Sequence, residues 1–135
     1  MANSGSERRL SAKPQPAPTG DGTIVLGYVL ARLRQIRHGV VTRRGSMPAT
    51  ITVSGVDALC EDLNARADAG RKKYGTMLRV NNGRNALVDL YQEITDAIMY
   101  AAQARMEGDD EIGKFAEPLI ETGAQLAAIL DRRSA

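Results

Sequence analysis

Residues 85–106 read NALVDLYQEITDAIMYAAQARM. Asn85 is a residue type that caps helix N-termini, and apolar residues recur behind it at steps of three and four, the spacing of a buried helix face. These residues are Leu87, Leu90, Ile94, Ala97 or Ile98, and Ala101. The pattern predicts a long helix over about 86–106, which Gly108-Asp109-Asp110 would end.

Other segments on both sides of this helix also have helical spacing. Residues 56–73 are expected to form a helix with Ser54 as N-cap, ended by Tyr74-Gly75. A last helix is expected over about 111–132, where Pro118 would mark either a kink or a restart. We also expect a helix over 23–36, although its first residues, Thr-Ile-Val-Leu, favour a strand.

The remaining segments contain glycine and proline. Residues 37–54 include Gly39, Gly45 and Pro48 and are interpreted as a loop or a short hairpin. Residues 1–22, with three alternating prolines, are expected to form a disordered arm. The sequence therefore predicts an all-α fold, a small helical bundle in one domain over 23–135, with a disordered N-terminal arm.

Composition excludes several classes of protein. The chain has 135 residues, with 43% hydrophobic and 25% charged residues, enough for one compact domain. With one cysteine, Cys60, and one histidine, His38, it can form neither an intrachain disulfide framework nor a Cys2His2 zinc site. No apolar run is long enough to span a bilayer, and the first residues lack the apolar region of a signal peptide. These features predict a soluble, cytoplasmic protein without a membrane partner.

Acidic residues form one edge of each of two predicted helices. Asp89, Glu93 and Asp96, followed by Tyr100, lie at steps of four, three and four, within a wedge of about 60°. Asp57, Glu61, Asn64 and Asp68 have the same steps on the preceding helix. Like charges four residues apart repel, so we expect a hard cation, Mg²⁺ or Mn²⁺, to be bound by these carboxylates. The alternative is an ordinary solvated acidic face.

Basic residues lie between the two acidic helices in the sequence. Arg66, Lys73 and Arg84 are placed where guanidinium and ammonium groups could bind phosphate. Carboxylates for metal and cations for phosphate together indicate phosphoryl-transfer chemistry. The alternative for these basic residues is compensation of the helix dipole at a C-terminus together with ordinary solubility, which explains Lys72 and Lys73 well and Arg84 poorly.

Two stretches carry a resemblance to a known family. Residues 66–75, RADAGRKKYG, and residues 82–100, NGRNALVDLYQEITDAIMY, resemble small phage-type MazG-like proteins. These belong to the all-α nucleoside triphosphate pyrophosphohydrolases, which include dimeric dUTPases and the phage MazZ branch that acts on dGTP. Glu93 and Asp96 match the Glu-x-x-Asp motif of that family. Its other motif, Glu-Glu-x-x-Glu, is incomplete at Glu61-Asp62, so either Glu61 alone serves or Asp89 supplies a further ligand.

The resemblance implies hydrolysis of a nucleoside triphosphate, for example the purine dGTP, to monophosphate and pyrophosphate with two or three Mg²⁺ or Mn²⁺ ions. The implied catalytic residues are Glu61, Glu93 and Asp96, and the implied metal ligands are these three with Asp89. The implied substrate-binding residues are Arg66, Lys73, Tyr74, Asn82, Arg84 and Tyr100. It also implies a homo-oligomer, either a dimer or a tetramer, with 23–36 and 119–130 as candidate interfaces. For a phage-encoded protein, the location would be the host cytoplasm.

Two other functions compete with this reading. A basic cluster that includes Arg32, Arg34 and His38 could contact the phosphates of a nucleic acid, although Tyr28 is the one aromatic residue near it. The incomplete first motif would also suit a catalytically silent helical assembly protein. Nucleic acid is the less expected partner, because the helical part of the chain is acidic.

Overall fold

The computed structural model describes residues 5–10, 15–43 and 47–134, and the all-α class predicted from the sequence is confirmed for them. No strand occurs among these residues. The helices are α1 (Gly5–Leu10), α2 (Val25–Thr42), α3 (Val53–Tyr74), α4 (Ala86–Met106), α5 (Asp110–Gly113) and α6 (Ala116–Ser134). Within the described ranges, no helix combines the length and the apolar character needed to cross a membrane.

The chain divides into two compact units. The central unit, Pro16–Arg84, contains α2 and α3, which pack against each other. The terminal unit combines Met1–Gln15 with Asn85–Ala135. Within the terminal unit, α4 packs against α5 and α6, and α1 contacts both α4 and α6. The boundary at 22/23 that the sequence predicts between arm and domain falls inside the central unit.

The N-terminal segment contains a short helix that the sequence analysis did not predict. Arg9 of α1 forms an ion pair with Asp131 of α6 at 2.6 Å, and the main-chain oxygen of Leu10 accepts a hydrogen bond from Gln92. Residues 15–22 have no regular secondary structure. Residues 1–4 and 11–14 lie outside the described residues, and disorder there stays a prediction.

In the central unit, the first predicted helix is longer than expected. Ile24 forms an isolated antiparallel bridge with Arg79, in keeping with the strand-forming residues at this point, and α2 follows directly. The helix continues to Thr42 and ends at Arg43 in the left-handed conformation, with φ of 52°. Residues 37–42, which we assigned to a loop or hairpin, are therefore all helical, and that prediction is wrong for them. Gly39 costs a helix about 1 kcal/mol, and packing of half-buried neighbours such as Val40 outweighs it.

The next helix begins earlier than predicted and ends as predicted. The N-cap of α3 is Thr52, whose hydroxyl accepts a hydrogen bond from the N–H of Gly55 at 3.0 Å. Ser54, the expected cap, is the second residue of the helix. Gly75 closes the C-terminus in the left-handed conformation, with φ of 77°, a conformation that glycine adopts without steric cost.

The predicted bounds of α4 are confirmed. The side-chain oxygen of Asn85 accepts hydrogen bonds from the N–H groups of Leu87 and Val88, at 3.1 and 3.3 Å. On the packed face of the helix, Ala101 is buried as expected, whereas Leu90 is 47% exposed and Val88 takes the buried position near the N-terminus.

The predicted C-terminal helix is divided into two helices, α5 and α6, and is not one kinked helix. Asp109 caps α5 by accepting a hydrogen bond from the N–H of Ile112, and α6 begins at Ala116. Pro118 therefore lies in the first turn of α6, where its missing N–H would have no helical partner. Close packing of α6 on α4 occurs at Gly123, where an added Cβ would lie 2.8 Å from Cδ1 of Ile98.

The cap of α4 provides a test of this fold. We expect Asn85→Ala to lower the free energy of unfolding by about 1 kcal/mol, because two helical N–H groups lose their acceptor. Asn85→Asp keeps an acceptor at the same place, so its free energy of unfolding should be close to that of the parent protein. Urea unfolding followed by circular dichroism measures the difference. Equal stability of the alanine and aspartate variants would contradict the assigned cap.

Candidate functional site

A cavity of about 460 Å³ lies within the central unit. Its walls come from α2, α3 and the segment that follows α3, and apolar side chains predominate. The lining residues are Pro18, Val25, Leu26, Val29, Leu63, Arg66, Ala67, Gly70, Tyr74, Thr76, Met77, Leu78 and Arg84. A volume in this range is typical of small-molecule sites.

Three of the residues that the resemblance implies for substrate binding line this cavity. They are Arg66 and Tyr74, both on α3, and Arg84, which ends the central unit. Tyr74 is half exposed, and Lys73 places its ammonium group 5.1 Å from the centre of the Tyr74 ring, a cation–π distance. The structure thus brings two arginines and a tyrosine to the lining of one apolar cavity.

Asn82 positions the backbone that carries Arg84. Its side-chain oxygen accepts a hydrogen bond from the N–H of Arg84 at 3.0 Å, and its main-chain oxygen accepts one from the N–H of Thr19 at 2.9 Å. Asn82 is 8% exposed, so these bonds satisfy groups that water reaches poorly. Asn82, which we expected to bind substrate, therefore also has a structural role in the turn.

Charge is distributed unequally between the two units. The central unit has eleven Lys and Arg residues against five Asp and Glu, a net charge of +6. The terminal unit has seven against eleven, a net charge of −4. The apolar cavity therefore lies in the basic unit, an arrangement that favours an anionic ligand.

On α3, basic residues of the same unit neutralise part of the acidic edge. Asp57 forms an ion pair with Arg37 of α2 at 2.9 Å. The hydrogen bond that Arg37 donates to Asp57, together with the negative charge of Asp57, raises the pKa of the Arg37 guanidinium above its ordinary value. Asp68 pairs with Arg71 at 3.3 Å. Glu61 is exposed and has no ion pair among the described residues, so it is the acid on this edge that stays available to a cation.

On α4, the acidic residues lie away from the face that packs on α6. Asp89 is half-buried and accepts a hydrogen bond from Gln15 at 2.7 Å. Glu93 and Asp96 are exposed, without an ion pair in the part of the chain that the structure describes. Tyr100, one turn further on, is 70% exposed. Because α4 is unbroken, these four side chains lie on one helix face, as predicted. Asp89 is already hydrogen-bonded to Gln15 there.

The structure does not gather these acids into a metal-binding cluster within residues 5–10, 15–43 and 47–134. No group of three or more His, Cys, Asp or Glu side chains there is close enough to hold one ion. Glu61 belongs to the central unit, while Asp89, Glu93 and Asp96 belong to the terminal unit. As donors, the four carboxylates match the oxygen ligands that Mg²⁺ and Mn²⁺ prefer.

Sequence reasoning missed the apolar part of the cavity. Val25, Leu26 and Val29 were assigned to an oligomer interface, and Leu63 and Met77 received no role. The available signal was the recurrence of apolar residues on two sides of α2 rather than one, which indicates that the helix faces more than its partner helix.

Comparisons with models of protein families, with curated proteins and with solved structures found no match to this chain.

The cavity itself can be tested by filling it. Ala67→Leu on α3 should weaken binding of an aromatic anion such as anilinonaphthalene sulfonate about tenfold, because the larger side chain occupies the apolar space. Ala65→Leu, the same change at an exposed position of α3 outside the lining, is the matched control and should bind like the parent. Fluorescence titration measures both. Equal affinities for the two variants would show that the cavity is not the binding site.

Proposed function

We propose that this protein hydrolyses a nucleoside triphosphate to monophosphate and pyrophosphate in a metal-dependent reaction. The observation that carries the proposal is the cavity of the central unit, where Arg66, Tyr74 and Arg84 line apolar walls. An apolar cavity suits a nucleobase and sugar, and guanidinium groups suit phosphate oxygens. The net charge of +6 on this unit would further favour a polyanionic substrate.

The basic and aromatic residues at or next to the cavity have distinct parts in the proposed binding. Arg84 and Arg66 would donate hydrogen bonds to phosphate oxygens, and Lys73 would add positive charge beside them. The Tyr74 ring, half exposed at the cavity, would stack on the base or the sugar. A purine deoxynucleotide such as dGTP is the substrate that the family resemblance favours.

Metal binding is assigned in this proposal to Glu93 and Asp96, the exposed carboxylates of α4. Glu93 and Asp96 are exposed without ion pairs among the described residues, so their oxygens have no competing cation there. Bound Mg²⁺ or Mn²⁺ would lower the pKa of a water ligand and neutralise phosphate charge. One carboxylate oxygen of Glu93 or Asp96 would then accept the proton of the attacking water.

The proposed reaction breaks one phosphoanhydride bond. Water adds to the α-phosphorus, pyrophosphate leaves, and the proton of the water passes to a carboxylate of the chain. Tyr100, on the same face of α4 as the acids, would pack against substrate or donate a hydrogen bond to it from its hydroxyl group.

The proposal includes a homo-oligomer, either a dimer or a tetramer. Large apolar side chains remain exposed in both candidate interface segments, with Tyr28 at 78% and Ile120 at 42%. Phe115, just before α6, is 53% exposed as well. Burial of such side chains between subunits would stabilise an assembly. Light scattering is expected to give a mass of two or four chains, and a monomer at high micromolar concentration would contradict this part of the proposal.

The two acids of α4 give the sharpest test of the proposed chemistry. Glu93→Gln and Asp96→Asn should each reduce metal-dependent turnover about 100-fold or more, because each change removes a charged oxygen ligand. Glu117→Gln is the matched control, since Glu117 is an exposed acid of α6 that lies outside the candidate interface and has no assigned role. Turnover is measured as release of pyrophosphate and monophosphate from a panel of NTPs and dNTPs with Mg²⁺, Mn²⁺ or EDTA.

Two outcomes would overturn the assignment. Full turnover by both variants would remove Glu93 and Asp96 from the site. No turnover by the parent protein with any nucleotide in either metal would exclude hydrolysis and leave a binding or assembly role.

A further inference from the structure

An extended segment, residues 16–24, precedes α2 and contributes Pro18 to the lining of the cavity. We call this segment the strap. The strap runs antiparallel to the loop at 78–84. Three main-chain hydrogen bonds of 2.9 Å join this loop to the strap or to Val25, the first residue after the strap. They are Thr19 N–H to Asn82 O, Val80 N–H to Thr23 O and Val25 N–H to Leu78 O.

Two arginines of the loop also hold the strap. Arg79 donates a hydrogen bond to the main-chain oxygen of Gly22 at 3.0 Å. Arg84 donates one to the main-chain oxygen of Pro16 at 2.8 Å. Arg84 lines the cavity as well, so one side chain contacts both the N-terminal end of the strap and the space that a ligand would fill.

Gly22 allows the strap to lie this close to the loop. An added Cβ at Gly22 would lie 2.1 Å from the main-chain oxygen of Val80, far below van der Waals contact. A side chain at this position would therefore push the strap away from the loop. By contrast, a Cβ at Gly27 of α2 would meet nothing within 4 Å.

We propose that the strap is a hinged wall of the cavity and that Arg84 couples its position to the charge of the occupant. The inference rests on the proposed function for the nature of the occupant, a polyphosphate. Phosphate oxygens accept stronger hydrogen bonds from a guanidinium group than a neutral carbonyl does. A polyphosphate in the cavity therefore draws Arg84 away from Pro16, and residues 16–19 of the strap lose one of the hydrogen bonds that hold them against the loop.

Amide exchange measured by NMR on the full chain tests the coupling, with inorganic tripolyphosphate as the probe. Exchange at the Thr19 N–H should become about tenfold faster as tripolyphosphate is added, because the strap loses a charge-assisted hydrogen bond. Exchange at the Val25 N–H, at the first residue of α2, should change less. Unchanged Thr19 exchange throughout a titration into the millimolar range overturns the proposal, as does slower exchange, which would mean that the strap closes.

A pair of glycine variants tests the hinge without a ligand. Gly22→Ala should speed exchange at the Thr19 and Val80 N–H groups about tenfold or more, because the added methyl separates strap from loop. Gly27→Ala adds the same methyl group on α2 and should leave both amides as in the parent. The same exchange rates in the two variants would show that the strap is not a separately opening wall.

Failure of this inference and failure of the proposed function have different signatures. If Thr19 exchange responds to tripolyphosphate but the protein turns over no nucleotide, the hinge proposal stands and the hydrolysis proposal is wrong. If the protein turns over nucleotide but Thr19 exchange does not respond, the hydrolysis proposal stands and the hinge proposal is wrong.

Discussion

The cavity of the central unit depends on the buried turn at Asn82. Among the described residues, Asn82 is the one polar residue that is buried, and its two oxygens connect the N–H groups of Arg84 and Thr19. A buried amide without these partners would cost free energy of desolvation, so the turn, the strap and Arg84 are held in one arrangement. The positive φ of Asn81 and Gly83, 53° and 81°, gives the chain the tight reversal that this arrangement needs.

The distribution of charge explains which parts of the chain can bind which partners. Basic residues of the central unit neutralise Asp57 and Asp68 on α3 through short ion pairs, and an excess of positive charge remains around an apolar cavity. The acids of α4 lie on a helix face that does not pack on α6, and Asp89 accepts a hydrogen bond from the neutral Gln15. Excess positive and excess negative charge thereby lie on different elements of the chain.

Local sequence signals predicted the elements whose ends depend on local chemistry. Asn85 fixes the start of α4 through its side-chain acceptor, and Gly75 fixes the end of α3 through its left-handed backbone. Both effects can be predicted from residue type. The continuation of α2 past Gly39 was not predictable in this way, because packing rather than propensity maintains it. The cavity was also missed, since Val25 and Met77 become neighbours only when a bridge between distant residues forms at Ile24 and Arg79. Arg66 and Arg84 were named from their place between the two acidic helices, and the role of Tyr74 was implied by the family resemblance. Neither argument showed that the three residues line one cavity.

The most direct test of the account is to map where a nucleotide binds. Isotope-labelled protein would be titrated with Mg²⁺ and an analogue of dGTP whose α,β-bridging oxygen is replaced by an imido group, so that binding is observed without hydrolysis. The account predicts that the largest changes in amide chemical shift occur at Gly70, Tyr74 and Arg84 and, with metal present, at Glu93 and Asp96. Changes confined to the exposed arginines of α2, or no changes at all, would contradict it.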